Sequence, residues 1–222
     1  MKNITNTTIC CIDTKNIIEA LVAIDKSIEQ TRFDSYKLFT TNINDIDLSR
    51  FKNLPNVKLE VINIPVITNK FEYSKFCLVD LNKYIDTEFC LVIQHDGFII
   101  NPDMWSDKFM EYDYIGAPWP DNFVNRVGNG GFSLRSKKFL QTCLDIFGNE
   151  DILEHEDLLA CVYRYNEFSN RGVKFAPVDL AIEFSIEHIV PELKSMKSFG
   201  FHGTFTELGR RAINENLNNI SL

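Results

Sequence analysis

The segment CLVIQHDGFIINP, residues 90–102, constrains the fold of this chain most strongly. Residues 89–93 show no alternation of polar and apolar side chains, so they predict a strand that is buried on both faces. Such strands are typical of parallel sheets that helices cover on both sides. This strand ends in Gln94, His95 and Asp96, and a carboxylate at the end of a buried strand is costly unless a partner compensates its charge.

Strand and helix patterns alternate through the rest of the first hundred residues. Three runs rich in apolar and β-branched side chains predict strands at residues 8–12, 36–40 and 57–64. Residues 16–30 place apolar side chains on one helical face, and residues 70–84 predict a second helix before the buried strand. This alternation predicts an α/β fold with a mixed, mostly parallel sheet flanked by helices. Ligands of such sheets bind beyond the carboxyl ends of the strands, where Asp96 lies.

The second half of the chain has shorter strands and more turns. Short strands surround YDYIGAPWP and RVGNGGFSLRS, and helices are predicted at residues 136–147 and 156–168. No internal repeat or low-complexity linker separates the two halves. We therefore expect one domain over residues 1–222, in which residues 1–100 build a nucleotide-type sheet and residues 101–222 complete the site.

Composition and charge argue against several classes of function. The formal net charge of -8 argues against a nucleic-acid partner, because phosphate binding depends on clustered Lys and Arg. The six cysteines form no CxxC pair, which argues against zinc ribbons and thioredoxin-like chemistry and favours reduced core thiols. No run approaches the roughly 20 apolar residues of a membrane helix, and the N-terminus lacks the apolar stretch of a signal peptide. We expect a cytoplasmic protein without a transmembrane segment.

Six motifs resemble, in the same order, those of a glycosyltransferase-like domain family of mostly unassigned function. They are QHDGFIINPDMW, YDYIGAPWP, VGNGGFSLRS, EDLLACVYR, KFAPVDLAIEFSIE and SFGFHG. The resemblance spans residues 70–203 and implies the nucleotide-sugar transferase fold called GT-A, a single α/β domain. It also implies a nucleotide-sugar donor, for which we expect a uridine diphosphate sugar. Residues 1–100 would then be the nucleotide-binding half, and residues 101–222 the half that binds the acceptor and completes the metal site.

In the GT-A fold, an Asp-x-Asp motif follows a central strand, and its last Asp binds a divalent cation that bridges the donor diphosphate. The tripeptide Gln94-His95-Asp96 keeps the last Asp and has Gln94 in place of the first. The resemblance therefore implies that Asp96 binds Mn²⁺ or Mg²⁺, while the departure at Gln94 leaves metal dependence open. Gln94 is expected to contact the donor ribose or to stay in the wall. His95 would point to the opposite side from Asp96 on a regular strand, so we rank it lower as a ligand.

The resemblance supplies a second metal ligand, His202 in FGFHG. Mg²⁺ and Mn²⁺ take oxygen ligands, and Mn²⁺ accepts imidazole as well, so an Asp and a His together with a diphosphate suit either shell. The residues alone leave two other interpretations open. His202 is then a turn histidine packed on Phe199 and Phe201, and Asp96 braces the turn that follows its strand.

The resemblance also implies an inverting reaction in which Asp157 is the general base and Glu156 binds the acceptor. The attacking hydroxyl must lose its proton, and a positioned carboxylate contributes roughly 10²- to 10⁴-fold to such a step. The alternative is an ordinary helix start, because the helix dipole stabilises acidic residues in the first turn. That dipole predicts a lowered pKa for Asp157.

Further residues are expected to bind the donor sugar and its phosphates. Gly130 and Gly131 allow the backbone to approach a sugar closely, although a simple hairpin turn explains them equally well. Lys75 resembles a basic residue that related transferases direct toward the donor phosphates; the alternative is a solvated cation. Trp119 stands between two prolines, which is a rigid presentation suited to stacking on a sugar, or it packs as a core aromatic.

Two residues after the first predicted strand, Asp13 and Thr14, occupy the position where this fold meets the nucleotide base. That assignment rests on topology alone. Arg135 is expected to be a surface residue just before a helix that Ser136 caps.

Three functions remain open from the sequence. The first is a glycosyltransferase that moves a sugar from a nucleotide sugar to an acceptor hydroxyl on a glycan, lipid or protein. The second is a non-catalytic sugar- or nucleotide-binding module derived from the same fold, which the missing first Asp suggests. The third is a metal-dependent hydrolase, against which the absence of HExxH and of a paired-carboxylate metal motif argues.

Overall fold

The computed structural model describes residues 1–41, 46–120, 122–203 and 210. The end of the predicted second half, residues 204–209 and 211–222, lies outside the described residues. In the described part the strands are β1 (Lys2–Ile12), β2 (Thr31–Thr40), β3 (Leu59–Asn63), β4 (Phe89–Ile93), β5 (Gly97–Ile99), β6 (Tyr114–Gly116), β7 (Phe132–Ser136), β8 (Ser185–Ile186) and β9 (Gly200–His202).

The α-helices of the described residues are α1 (Ile17–Ser27), α2 (Lys70–Lys75), α3 (Lys137–Phe147), α4 (Glu156–Leu158), α5 (Tyr165–Asn170) and α6 (Val178–Phe184). Five of these six helices lie in or overlap the regions predicted to be helical, α6 was not predicted, and two helices change form along their length. A π-helical segment, Phe76–Asp80, continues α2, and another, Leu159–Tyr163, continues α4. Such segments are rare and often lie near functional sites.

The larger sheet has the strand order β3-β2-β1-β4-β7-β6. Strands β3, β2, β1 and β4 run parallel to their neighbours, and β4–β7 and β7–β6 are antiparallel. The chain leaves β1 toward β2 on one side and reaches β4 on the other, so the strand order reverses between β1 and β4. In open α/β sheets this switch point is where ligands bind.

The central strand β4 is buried along its whole length, as its unbroken apolar run predicted. Leu91 and Ile93 pack into one core, with α1, and Cys90 and Val92 pack into the other, with α3. Both faces of the sheet are therefore covered. All six cysteines are buried and free, and among the described residues no helix combines the length and apolar character needed to cross a membrane.

Strand β1 begins six residues before its predicted start because polar residues extend it. Lys2 pairs with Thr31 of β2, and the register shifts between Ile4 and Thr8. Asn6 lies at this irregularity with a positive φ of 53°, and its N–H donates to Asp34 at 2.8 Å. Apolar patterning cannot reveal a strand end whose polar groups are satisfied in this way.

A second, three-stranded sheet with the order β5-β9-β8 was not predicted. Its strands are two or three residues long, too short to leave a periodic pattern. It sets Gly97 opposite His202, and this pairing brings the end of the described chain beside Asp96. A Cβ on Gly97 would lie 2.8 Å from the carbonyl oxygen of Phe201, so only glycine fits this approach without a backbone shift.

Candidate active site

Two adjoining cavities lie where β1 and β4 end. The large cavity measures about 490 Å³ and the small cavity about 250 Å³. Lys70, Tyr73 and Gln94 line both, so these residues form the passage between them. This is the place that the reversal of strand order predicts for a ligand.

The small cavity contains both residues predicted to meet the nucleotide base. Asp13 accepts the N–H groups of Lys15 and Asn16 at 2.8 and 2.7 Å, and its second oxygen lies 3.0 Å from Nδ1 of His95. Thr14 accepts the N–H of Ile67 at 2.9 Å. These contacts fix the loop after β1 and give the small cavity a polar wall. His95 lines the small cavity, whereas Asp96 does not. The prediction assumed that the strand continues regularly, but β4 ends at Ile93, before both residues.

One wall of the large cavity is lined by Gln94, Asn129, Glu187 and His202. Asp96 lines neither cavity but contacts His202, and we call these five residues the histidine cluster. Nε2 of His202 lies 3.2 Å from Oδ1 of Asp96 and 3.0 Å from Oε1 of Gln94. Nδ1 of the same ring lies 2.8 Å from Oε1 of Glu187. Asn129 donates to the other oxygen of Glu187 and so joins the glycine loop to the cluster.

Charge compensation dominates the proton affinities of the histidine cluster. Burial by itself favours neutral His202, but the nearby carboxylates of Asp96 and Glu187 outweigh it and raise the pKa of His202 to about 10. Burial acts to raise the pKa of Glu187, but hydrogen bonds with His188 and His202 lower that pKa to about 2. The pKa of Asp96 is also lowered, because contact with His202 outweighs burial. The imidazolium of His202 thus acts on both carboxylates, and His188 acts on Glu187 as well.

The histidine cluster fits a divalent cation. Oδ1 of Asp96 is buried and makes no hydrogen bond, although His202 lies 3.2 Å away, so its lone pairs are unused. Nε2 of His202 lies 3.2 Å from this oxygen and 3.0 Å from Oε1 of Gln94. Both distances are close to the roughly 3 Å between neighbouring ligands on an octahedral cation with bonds of about 2.1 Å. Glu187 would orient the imidazole through Nδ1, as carboxylates commonly do behind metal-binding histidines.

The donor set is nevertheless small. Among the described residues, no group of three or more His, Cys, Asp and Glu side chains is arranged to hold a metal ion. Asp96 and His202 would need the amide oxygen of Gln94 or oxygens of the ligand itself to complete a shell. Mn²⁺ suits this mixture of imidazole and oxygen donors.

Another wall of the same cavity is lined by Glu156 and Asp157, which form the arginine cluster together with Gly130 and Arg135. Arg135 is only 1% exposed, and its Nη2 donates to Oε1 of Glu156 at 2.9 Å and to the carbonyl oxygen of Gly130 at 3.1 Å. The N–H of Gly130 donates to Oδ2 of Asp157 at 3.1 Å. The prediction that Arg135 lies on the surface was wrong, because Glu156, distant in sequence, compensates its charge inside the fold. Its neighbour Ser136 does cap α3.

Asp157 behaves differently from Asp96. Burial, reinforced by the negative charge of Glu156, raises the pKa of Asp157 to about 7. The N–H groups of Gly130 and Leu158 and the charge of Arg135 oppose this rise but do not cancel it. The prediction of a lowered pKa was wrong, because burial and the charge of Glu156 outweigh the groups that lower the pKa of Asp157.

The two glycines of the loop each lie against one cluster. A Cβ on Gly131 would lie 2.2 Å from Nε2 of His202, and a Cβ on Gly130 would lie 2.1 Å from Oε1 of Glu156. Both side chains can reach their present positions only because these residues have no Cβ. The loop thus joins the histidine cluster to the arginine cluster.

Of the remaining predicted residues, Trp119 lines the large cavity and Lys75 lines neither cavity. Lys75 is exposed, on a different face of α2 from Lys70 and Tyr73. Nζ of Lys70 lies 3.1 Å from Nε2 of His155, and both residues line the large cavity. The ring of Trp119 is 8% exposed and packs edge-on against Phe123 at 5.5 Å.

Sequence reasoning missed Lys70, Asn129, Arg135 and Glu187. Three of them stand inside motifs that were recognised: Asn129 and Arg135 in VGNGGFSLRS, and Glu187 at the end of KFAPVDLAIEFSIE. A polar residue within such a motif was therefore a usable signal. No such signal points to Lys70, because the rotation of α2 about its axis decides whether Lys70 or Lys75 faces the cavities.

A sequence profile of the family described as protein of unknown function (DUF5672) matches residues 56–202 of this chain. The matched region contains both clusters, from Gln94 to His202, whereas Asp13 and Thr14 lie before it. A search of curated proteins found no match to the chain.

Three solved structures resemble the chain. A glycosyltransferase involved in the glycosylation of the major capsid of PBCV-1 is 14% identical, with a TM-score of 0.50 over 95% of this chain and 98% of its own. An active-site mutant of LgtC is 13% identical, with a TM-score of 0.53 over 97% and 96%. The mannosyltransferase PcManGT from Pyrobaculum calidifontis, solved with GDP-Man and Mn²⁺, is 10% identical, with a TM-score of 0.52 over 80% and 57%. These likenesses confirm the predicted GT-A-like fold.

Proposed function

The chain belongs to the DUF5672 family, and we propose that it is a glycosyltransferase that moves a sugar from a nucleotide-sugar donor to an acceptor hydroxyl. One observation carries the proposal: a cluster suited to a cation and a carboxylate suited to a proton face the same cavity at the switch point of the sheet. A transferase needs both, because the diphosphate leaves with extra negative charge and the acceptor hydroxyl loses its proton.

The two cavities suit the two ends of a nucleotide sugar. The nucleoside would occupy the small cavity beside Asp13 and Thr14, and the sugar would occupy the large cavity. The diphosphate would then pass Lys70 and Gln94, which line both. Lys70 takes the phosphate-binding role for which the sequence suggested Lys75. We expect the donor to be a uridine diphosphate sugar, although the fold also carries GDP-Man in the Pyrobaculum mannosyltransferase.

Asp96 and His202 would hold Mn²⁺ or Mg²⁺, with Gln94 as a further oxygen donor. The bound cation would supply charge neutralisation at the diphosphate leaving group. Glu187 keeps the ring of His202 turned so that Nε2 faces Asp96.

Asp157 is the proposed general base of an inverting transfer. With a pKa near 7, its carboxylate is largely ionised at slightly alkaline pH and remains basic enough to accept the proton of a hydroxyl. Trp119 and the backbone at Gly130 and Gly131 would contact the transferred sugar. Glu156 lines the same cavity beside Asp157, but its charge is committed to Arg135.

A non-catalytic nucleotide-sugar-binding module is the second candidate. Gln94 favours it, because the first carboxylate of the Asp-x-Asp motif is absent. Such a module binds a donor and transfers nothing, so binding alone cannot separate the two candidates, and a transfer assay must follow.

The test is a thermal-shift screen of UDP-, GDP- and other nucleotide sugars against the purified protein, each with Mn²⁺, with Mg²⁺ and with chelator. A shift that one nucleotide class gives and chelator removes is the expected result, and it names the donor for an acceptor search. A shift that persists in chelator would overturn the cation assignment and leave the donor site standing. If no donor stabilises the protein, the proposed function is wrong.

A further inference from the structure

The ion pair between Arg135 and Glu156 is buried, unlike an ordinary surface ion pair. The side chains are 1% and 7% exposed, and burying two charges costs more than many such pairs return in stability. Arg135 makes further contacts with Ser133 at 2.9 Å and with the ring of Tyr114 at 5.6 Å. Both charged side chains are therefore almost completely buried. A role beyond stability would explain why this pair stands directly behind the cavity wall.

The pair reaches Asp157 through a single peptide group. The carbonyl of Gly130 accepts from Arg135, and the N–H of the same residue donates to Oδ2 of Asp157 at 3.1 Å. The N–H of Leu158 donates to Oδ1 at 2.8 Å. Both carboxylate oxygens are therefore held by backbone donors, and Arg135 fixes the position of one of these donors.

Glu156 also acts on Asp157 directly, as the adjacent residue in α4. The pKa of Asp157 is raised first by burial and next by the charge of Glu156, while Arg135 acts weakly in the opposite sense. Titratable groups that face Asp157 from other elements are Tyr114 of β6 and Cys161 of the π-helical segment after α4. The charged and titratable groups elsewhere in the large cavity are Lys70, Tyr73, His155, Glu187, His188 and His202.

We propose that Arg135 and Glu156 are positioning residues for the base: they orient the carboxylate of Asp157 and place the negative charge of Glu156 beside it, which strengthens it as a proton acceptor. The inference rests on the proposed function. In the reaction, the acceptor oxygen forms a bond to the anomeric carbon, and its proton passes to Asp157. The bond between sugar and diphosphate breaks, and its electron pair leaves on the diphosphate.

The first test is a titration of the Asp side chains followed by carboxyl-carbon NMR, which needs neither donor nor acceptor. Asp157→Asn identifies the signal of Asp157, and the exposed Asp151 is the internal control, whose midpoint must stay constant. The wild-type midpoint is expected near 7. In Glu156→Gln it is expected to fall by about one pH unit or more. An unchanged midpoint in a folded Glu156→Gln protein would overturn the inference.

Glu156→Gln leaves Arg135 buried without its partner and is at risk of misfolding. The second variant therefore removes both charges, as Arg135→Met with Glu156→Leu. Replacing both partners of a buried pair by apolar residues is often neutral or stabilising, so the melting temperature is expected to equal or exceed that of the wild type. The midpoint of Asp157 is expected to fall, because the effect of Glu156 exceeds that of Arg135. A lowered melting temperature with an unchanged midpoint would assign the pair a structural role only.

The transfer reaction supplies the last readout once a donor and an acceptor are known. The double variant is expected to lower kcat by about tenfold, with the KM for the donor near wild type and the pH profile displaced toward lower pH. Equal kcat and an undisplaced profile would contradict the positioning role. Failure of the nucleotide-sugar screen would overturn the proposed function but would leave the titration result intact, so the two failures are distinguishable.

Discussion

The two clusters at the large cavity differ in how a positively charged side chain is paired with carboxylates. In the histidine cluster, one imidazole serves both Asp96 and Glu187, and the pKa values of both carboxyls are lowered. In the arginine cluster, one guanidinium serves Glu156, whereas Asp157 has only backbone N–H groups and a pKa of about 7.

This difference suits the two clusters to two different steps of the proposed reaction. Carboxylates that stay ionised at physiological pH suit the binding of a cation, whereas the imidazolium of His202, with a pKa of about 10, must release its proton before Nε2 can bind a metal. A carboxylate with a pKa near neutrality suits the acceptance of a proton during reaction. Two pairs of carboxylates with different partners would thus suit different chemical roles in the proposed reaction.

The largest effect is expected where the proton is accepted. Asp157→Asn should lower the transfer rate by roughly 10²-fold or more, because the amide cannot act as a base, while donor affinity stays near wild type. The rate is measured as release of nucleoside diphosphate in the presence of acceptor. Asp151→Asn, at an exposed site, serves as the matched control. An Asp157→Asn enzyme as active as the control would remove Asp157 as the base.

A smaller effect is expected at the cation-binding wall. Asp96→Asn keeps the shape of the side chain and removes its charge, so the affinity for UDP with Mn²⁺ should fall by about tenfold or more. The affinity measured in chelator should not change. Calorimetry of both proteins gives the comparison. Equal affinities with Mn²⁺ would show that the clusters do not differ in the way proposed.

The passage between the cavities offers a matched pair of lysines on one helix. Lys70→Met should raise the Kd for UDP by about tenfold, because a hydrogen bond to a charged phosphate is lost. Lys75→Met removes the same charge from an exposed face and should leave the Kd unchanged. If Lys75→Met gives the larger loss, the diphosphate does not follow the passage.

The smallest effect is expected in the pH dependence of stability. The folded pKa of Asp157, about 7, lies above the unfolded value of about 3.9, so the folded protein retains a proton that the unfolded chain has lost between these values. This contribution is fully present below about pH 4 and is lost as pH rises through 7. Relative to Asp157→Asn, the wild type should therefore lose about 1 kcal/mol or more over this range. If the melting temperatures of the two proteins change with pH in the same way, the raised pKa is contradicted.

The sequence was sufficient to predict the features that depend on pattern. The unbroken apolar run of β4, the alternation of strand and helix, and the chain order of the motifs predicted the sheet and the location of Asp96 at its edge. His202 and Asp157, named from the resemblance, do line the same cavity. Their roles remain predictions.

What escaped prediction depends on contacts that no local pattern records. The pair of Arg135 and Glu156 joins residues 21 positions apart, so Arg135 by itself reads as a surface cation. The strands of the second sheet are too short to show a period. The choice between Lys70 and Lys75 depends on the rotation of one short helix, which the sequence defines only loosely.

The most direct measurement is calorimetric titration of UDP and GDP, with Mn²⁺, into the wild type, Asp96→Asn and Asp157→Asn. If one wall binds the cation and the other accepts the proton, one nucleotide binds the wild type and Asp157→Asn with similar affinity, and it binds Asp96→Asn about tenfold more weakly or worse. Equal affinities in all three proteins, or no binding of either nucleotide to the wild type, would contradict this division of roles.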